Sequence, residues 1–131
     1  MKVIDSSSLT KFFSREEGWQ KVEKILLEGA VTLDLSIKEV ANALWKKVLS
    51  QEAKIEDVEE ILKDLIKSNA IKLHCQEDYL IAAFRIAVKH KITVYDSLFI
   101  ELAKSINLEL VTSDDEQAEI AKKEGIKVMK V

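Results

Sequence analysis

The fold is decided by one stretch of the sequence, Thr93-Val94-Tyr95-Asp96-Ser97-Leu98-Phe99-Ile100-Glu101-Leu102-Ala103. An extended segment with β-branched residues stops at Asp96, and apolar residues then recur at the i, i+3, i+4, i+7 spacing of one helix face: Phe99, Leu102, Ala103 and Ile106. The pattern predicts that a helix begins at Asp96. As N-cap, the Asp96 carboxylate would accept backbone N–H groups and meet the positive end of the helix dipole.

Outward from this stretch, strand-like apolar segments alternate with amphipathic helical segments. The predicted strands cover residues 2–5, 30–35, 71–73, 108–112 and 126–131. Among the helical segments between them, Ile55 to Ser68 has a strong separation of apolar and polar faces. The alternation predicts an α/β fold, with a parallel sheet of about five strands covered by helices on both faces. Since no linker or repeat interrupts the pattern, we expect one domain over residues 1–131.

Composition restricts the class of protein. The chain has 131 residues, of which 47% are hydrophobic and 33% charged, as in a compact folded domain. No apolar run is long enough to cross a membrane, and the N-terminal residues do not form a signal peptide. Cys75 is the single cysteine, so no internal disulfide can form. We therefore expect a cytoplasmic protein.

The net charge of −3 does not favour binding to nucleic acid by bulk electrostatics. Four acids, however, occupy comparable positions in the predicted elements. Asp5 and Asp114 follow apolar strands, Glu39 lies one helical turn after the second strand, and Asp96 opens a helix. In open α/β sheets, sites form beyond the carboxyl ends of the strands. The common position favours a divalent-cation site, whose charge would offset part of the acidic excess.

Each acid also has a purely structural explanation, which the residues alone leave open. Asp5 and Asp114 suit turns at strand ends, and Asp96 suits an N-cap. Glu39 fits a capping box with Ser36, in which the glutamate reaches back to the N–H of the cap residue. Either reading is compatible with the spacing.

Four segments carry a resemblance to a known family: Val3-Ile4-Asp5-Ser6-Ser7, Glu39-Val40-Ala41-Asn42-Ala43-Leu44, Thr93-Val94-Tyr95-Asp96-Ser97-Leu98 and Leu110-Val111-Thr112-Ser113-Asp114. In order and spacing the chain resembles the PIN-domain ribonucleases, especially the VapC-type toxins of toxin–antitoxin pairs. The resemblance implies a three-layer α/β/α fold and RNA cleavage that depends on Mg²⁺ or Mn²⁺. It also implies catalytic and metal-ligating roles for the four acids (Asp5, Glu39, Asp96 and Asp114), supported by hydroxyls of Ser7 and Thr112.

The chain departs from the family pattern after the fourth acid. Family members often carry a basic residue there, whereas this chain has Asp115, with Gln117 two positions later. We expect Asp114 to be the metal ligand and Asp115 to be an acid that opens the helix. Whether Asp115 shares the metal stays open at this point.

The resemblance also implies partners: an RNA substrate, a small antitoxin protein and a second copy of the chain. The helices around Trp19 and from Ile55 to Ser68 carry more apolar surface than a small sheet needs, which favours a homodimer. Within the family, the alternatives are a housekeeping RNA-processing or structure-specific nuclease, and an inactive PIN-like binding subunit. A phosphoacceptor receiver domain fits poorly, because it requires an acidic pair where this chain has Asp5-Ser6.

Overall fold

A computed structural model describes all residues, 1–131. Five strands form one sheet: β1 (Lys2–Ile4), β2 (Ala30–Leu33), β3 (Ile71–His74), β4 (Leu110–Thr112) and β5 (Val128–Lys130). Seven α-helices connect them: α1 (Ser6–Phe13), α2 (Trp19–Leu27), α3 (Leu35–Leu49), α4 (Ile55–Lys67), α5 (Leu80–His90), α6 (Val94–Ile106) and α7 (Asp115–Lys123). A short 3₁₀ turn spans Gln76–Tyr79. No helix has the length and apolar character needed to span a membrane.

All strand pairs are parallel, in the order β3-β2-β1-β4-β5. The chain builds outward from β1 to β3, then returns to the other side of β1 and continues to β5. The strand order therefore reverses between β1 and β4, which is where open α/β sheets form their crevices. Residues that follow the carboxyl ends of these two strands are neighbours across that crevice.

Neighbouring residues of β1 point into two separate cores. Val3 packs with buried residues of α5, α6 and α7, whereas Ile4 packs with those of α1, α2, α3 and α4. Both faces of the sheet are thus covered, as parallel sheets require. The predicted five-stranded, three-layer α/β/α fold is confirmed.

The predicted start of α6 is wrong by three residues. The N-cap is Thr93, whose side-chain oxygen accepts the backbone N–H of Asp96 at 3.3 Å. Asp96 lies within the first helical turn, so its carboxylate is not needed as a cap. The sequence misleads here because Val94 and Tyr95 favour strands, although a threonine directly before them can cap a helix.

The capping box predicted for α3 is also wrong. The helix begins at Leu35, one residue before the predicted cap, and Ser36 is buried within its first turn. The Ser36 hydroxyl lies 2.6 Å from the hydroxyl of Thr32. Glu39 instead accepts a hydrogen bond from the Ser6 hydroxyl on α1, at 2.7 Å. Tertiary partners have replaced the local cap.

Away from the crevice, one carboxylate holds three helices together. Glu124, at the C-cap of α7, lies 2.7 Å from His90 Nε2, 2.9 Å from Lys104 Nζ and 3.1 Å from Lys89 Nζ. These partners come from α5 and α6. Hydrogen bonds to the three side chains lower the pKa of Glu124 to about 2, and His90 has the largest effect. The network fixes the far ends of α6 and α7, whose first turns carry Asp96 and Asp115.

Candidate active site

Asp5 is the most deeply buried acid of the crevice. It follows β1 and caps α1, with its carboxylate accepting the backbone N–H of Ser8 at 2.9 Å. The hydroxyls of Ser7 and Thr112 donate to the same carboxylate at 2.8 and 2.5 Å. Burial raises the pKa of Asp5 nevertheless, because it outweighs these hydrogen bonds. Ser7 and Thr112 lie where the sequence suggested supporting hydroxyls.

Glu39 projects from the first turns of α3 toward the same end of the sheet. Its carboxylate is held by the Ser6 hydroxyl, which also lies 3.4 Å from the Ser36 hydroxyl. Burial raises the pKa of Glu39, the bond from Ser6 opposes this, and the charge of Asp5 raises it further. Asp5 and Glu39 are therefore close enough for the charge of one to affect the pKa of the other.

Asp96 experiences the charges of all the other predicted site acids. Burial has the largest effect on its pKa, followed by repulsion from Asp114, Glu39 and Asp5, then from Glu116. Together these raise the pKa of Asp96 from 3.8 to about 6. None of the four predicted acids takes part in an ion pair, so no basic side chain offsets this repulsion.

Asp114 is the N-cap of α7, and its carboxylate accepts the backbone N–H of Gln117 at 2.8 Å. The Gln117 side chain is buried and connects Thr112, at the end of β4, to α6. Its Nε2 donates to the backbone carbonyl of Asp96 at 2.9 Å, and its Oε1 lies 3.0 Å from Thr112 Oγ1. The amide orientation follows from the Asp96 carbonyl, which can only accept. Gln117 thus connects the segments that carry the third and fourth acids.

The Thr112 hydroxyl links Asp5 to Gln117 but has only one proton to donate. When Asp5 is ionised, that proton goes to the Asp5 carboxylate. When Asp5 is protonated, it can donate to Thr112, which then donates to Gln117. The Thr112 hydroxyl therefore makes only one of its two donor contacts at a time, to Asp5 or to Gln117.

The three acids at the start of α7 differ in environment. Asp115 is exposed and forms an ion pair with Lys130 at 2.9 Å, directed toward β5. The charge of Glu116 contributes to the raised pKa of Asp96. The geometry favours Asp114 as the site acid and Asp115 as a residue of the first helical turn.

The carboxylates are near one another but do not form a compact cluster. No group of three or more His, Cys, Asp or Glu side chains is already arranged to hold a metal ion. Repulsion between like charges favours such separation, and Ser6 and Gln117 hold two of the acids individually. The donor set consists entirely of carboxylate oxygens and fits a hard cation such as Mg²⁺ or Mn²⁺.

Sequence reasoning missed three residues of the crevice: Ser6, Gln117 and Glu116. Ser6 directly follows Asp5 in the sequence, but its bond to Glu39 spans 33 residues. Gln117 was noted only as lacking a positive charge. Its role depends on a contact with Asp96 across 21 residues, which no local pattern contains.

Comparisons with known proteins agree on one family. The profile of the PIN domain matches residues 2–123. Ribonuclease VapC3 of Pyrobaculum aerophilum is 33% identical over 120 residues, which cover 89% of this chain and 92% of that protein.

Two solved structures share the fold. PAE2754 from Pyrobaculum aerophilum superposes with a TM-score of 0.73 and 28% identity, covering 97% of this chain and 82% of that chain. FitAcB from Neisseria gonorrhoeae gives a TM-score of 0.62 at 15% identity, covering 99% and 97% of the two chains. At that identity, the second likeness concerns the fold alone.

Replacing Gln117 tests whether it organises the crevice. Gln117→Met keeps the volume but removes both side-chain hydrogen bonds. We expect Mn²⁺ affinity, measured by calorimetry, to fall about 10- to 100-fold, as for other residues that orient metal ligands. Gln20→Met, on the exposed surface of α2, is the matched control and should bind as the wild type does. Unchanged affinity in a folded Gln117→Met protein would contradict this role.

The metal-free protein should depend on pH through Asp96. The folded-state pKa of Asp96 is raised from 3.8 to about 6. The protonated carboxyl therefore contributes its full stability to the fold below pH 3.8, and this contribution is lost as the pH rises through about 6. Asparagine does not ionise, so Asp96→Asn does not lose this stability as the pH rises. At neutral pH we expect the free energy of unfolding of the variant to exceed that of the wild type by about 1 kcal/mol, a value reduced for solvent screening of a half-buried group.

The measurement is urea unfolding of both proteins, with a chelator present, from pH about 4 to about 8. Taking the difference between variant and wild type cancels other titrations, including that of Glu124, which acts only at lower pH. A difference that stays constant over this range would show that Asp96 titrates normally.

Proposed function

The chain belongs to the PIN-domain family, and from that premise we propose that it is a divalent-metal-dependent endoribonuclease that hydrolyses phosphodiester bonds of RNA. One observation carries the proposal most strongly. Burial, together with repulsion from Asp114, Glu39 and Asp5, raises the pKa of Asp96 to about 6, and no basic side chain pairs with any of the four acids. Such a set of acids is stabilised by a cation.

Each residue of the crevice has a role in this proposal. Asp5, Glu39, Asp96 and Asp114 form the set of carboxylates that would hold Mg²⁺ or Mn²⁺, while Ser7 and Thr112 orient Asp5. Ser6 and Gln117 orient Glu39 and the Asp96 segment. When bound, the cation would supply positive charge against the phosphate and make a water more acidic for in-line attack. Whichever of the four carboxylates is left free of the cation would accept the proton of that water.

The bond that breaks lies between phosphorus and the 3′ oxygen of the preceding nucleotide. The products, by analogy with the family, carry a 5′-phosphate and a 3′-hydroxyl. We assign Asp115 no part in this chemistry, since its exposed carboxylate lies 2.9 Å from Lys130 Nζ and is directed toward β5. We place the reaction in the cytoplasm, as expected of a nuclease that acts on cellular RNA.

Within the family, we propose that the protein is the toxin of a toxin–antitoxin pair. The 33% identity to Ribonuclease VapC3 supports this over a housekeeping or inactive PIN protein. The antitoxin would be a small protein that places a basic side chain in the acidic crevice, where it pairs with the carboxylates and excludes cation and RNA. Growth that continues during expression without a partner would contradict the toxin role.

We also propose a homodimer, through the outer face of α5. Ile81, Phe84 and Val88 lie at i, i+3 and i+7 on this helix and are exposed by 81, 57 and 64%. By contrast, α2 and α4, on which the sequence placed the dimer surface, bury much of their apolar surface in the core. A continuous apolar stripe of this kind is typical of a protein interface.

Two substitutions test the nuclease. Asp96→Asn and Glu39→Gln remove one charge each and leave the helix caps intact, so both proteins should fold. With Mn²⁺ and a mixed RNA pool, we expect cleavage to fall by more than the roughly 10- to 100-fold typical of residues that only orient ligands. Asp115→Asn is the matched control and should cleave at the wild-type rate. Wild-type cleavage by folded Asp96→Asn would exclude a catalytic role for Asp96.

A charge on the α5 stripe tests the dimer. Phe84→Glu should give a monomer by light scattering at micromolar concentration, because an unpaired carboxylate cannot be buried in an apolar interface. Leu27→Glu, at an apolar position on α2 that is 81% exposed against 57% for Phe84, should leave the dimer intact. A monomeric wild type refutes the dimer, and dissociation by Leu27→Glu alone would move the interface to α2.

A further inference from the structure

A groove runs from the candidate site along α3, with Thr10 of α1 on its other side. Its volume is about 500 Å³, and one of the site acids, Glu39, is part of its lining. The other α3 residues that line it follow Glu39 at i+3, i+4, i+7, i+8 and i+11, which is one face of the helix: Asn42, Ala43, Lys46, Lys47 and Ser50. The groove is therefore one continuous surface that begins at the crevice.

The groove contains hydrogen-bond donors that the fold does not use. The hydroxyl of Thr10 and the amide of Asn42 line it, and neither side chain makes a hydrogen bond within the protein. The ammonium of Lys46 is exposed and forms no ion pair. Hydroxyl, amide and ammonium groups are the donors that proteins use to bind the phosphates and sugars of nucleic acids.

The other charged residues of the groove already have partners. Glu16, between α1 and α2, lies 4.0 Å from Lys47 Nζ, and Glu52 accepts the hydroxyl of Ser50 at 2.9 Å. Lys46 thus carries the one positive charge of this groove that no carboxylate offsets. The charge is available to an anion.

Lys46 lies at a distance from Glu39 that suits a strand already held at the crevice. Seven residues separate the two, which is about 10 Å along the helix axis. A nucleic acid carries one negative charge per nucleotide, so a strand that follows α3 away from the crevice brings a further phosphate to Lys46.

We propose that the groove between α1 and α3 carries the RNA strand away from the cut, with Lys46 binding a phosphate beyond the scissile one. Thr10 and Asn42 donate hydrogen bonds to the backbone between these two phosphates. Lys46 is a positioning residue in this account, since it does not touch the reacting atoms. The inference rests on the proposed ribonuclease activity and adds the path of the strand.

A segment of a protein partner is the other candidate occupant of the groove. Interfaces between proteins have apolar centres rich in aromatic residues, whereas Ala43 is the only hydrophobic residue in this lining. Interfaces with nucleic acids are more polar and more positively charged. The composition of the groove, and the site acid within it, favour RNA.

The experiment compares Lys46→Gln, which removes the charge, with Lys46→Arg, which keeps it. Single-turnover cleavage with Mn²⁺ is measured against enzyme concentration at salt concentrations from about 50 to about 200 mM. Lys67→Gln is the matched control. Like Lys46, Lys67 is an exposed lysine without an ion pair in the last turn of its helix, but it does not line the groove. Both positions favour the helix dipole, so the control removes that structural effect.

We expect Lys46→Gln to raise the half-saturating enzyme concentration most at low salt. A plot of its logarithm against the logarithm of salt concentration should become shallower by about 0.7 to 0.9, the effect of losing one phosphate contact. Over a fourfold change in salt, the difference from wild type should therefore narrow about threefold. The maximal rate should change less. Lys46→Arg and Lys67→Gln should follow the wild-type line.

A second measurement locates the phosphate. Phosphates near the mapped cut are replaced one at a time by uncharged methylphosphonates. One replacement should weaken binding by the wild type and Lys46→Arg but not by Lys46→Gln, because the two changes remove the same contact.

Three results would overturn the inference. A wild-type salt dependence in Lys46→Gln, or additive effects with every methylphosphonate, would show that Lys46 contacts no phosphate, and the nuclease proposal would stand. An equal effect of Lys67→Gln would show that the charge acts through the whole protein rather than through the groove. If the wild type cleaves no RNA with Mn²⁺, the nuclease proposal fails first and the inference falls with it.

Discussion

Repulsion between carboxylates that have no basic partner is the constraint on which this structure depends. Asp5 is buried, and Glu39 and Asp96 are partly so, at the carboxyl end of one sheet. Charged groups in such surroundings are normally paired or protonated. Here the fold supplies hydroxyl and amide donors instead, from Ser7, Thr112 and the backbone of Ser8. These donors orient Asp5 without neutralising it, and the remaining negative charge of the acids favours a cation.

The sheet topology makes this arrangement possible. Because the strand order reverses beside β1, the residues after β1 and β4 face one crevice, and α3 and α6 approach it from opposite layers. Asp5 and Glu39 come from the layer of α1 to α4, and Asp96 and Asp114 from α6 and the start of α7. Two hydrogen-bonding side chains join elements across the crevice: Ser6 connects α1 to Glu39, and Gln117 connects α7 to Asp96. The helix ends are fixed on the far side by Glu124.

Much of this could be predicted from the sequence, because it depends on local periodicity. The order of strands and helices and the inner face of α6 follow from spacing. Contacts between residues far apart in the sequence are difficult to predict from local patterns. Serine often caps helices, yet the Ser36 hydroxyl contacts Thr32 inside the fold. Glu39 accepts a hydrogen bond from Ser6, 33 residues away. Gln117 differs from the family pattern in charge, and only the tertiary structure gives it a role.

The most direct test of the central claim is a crystal structure of the wild-type protein soaked with Mn²⁺, with data collected at an anomalous wavelength. Carboxylates that lack basic partners and share one crevice predict one strong anomalous peak. It should lie about 2 Å from oxygens of at least two of the acids Asp5, Glu39, Asp96 and Asp114. A peak bound only by Asp115 or Glu116, or no peak at saturating Mn²⁺, would contradict the account.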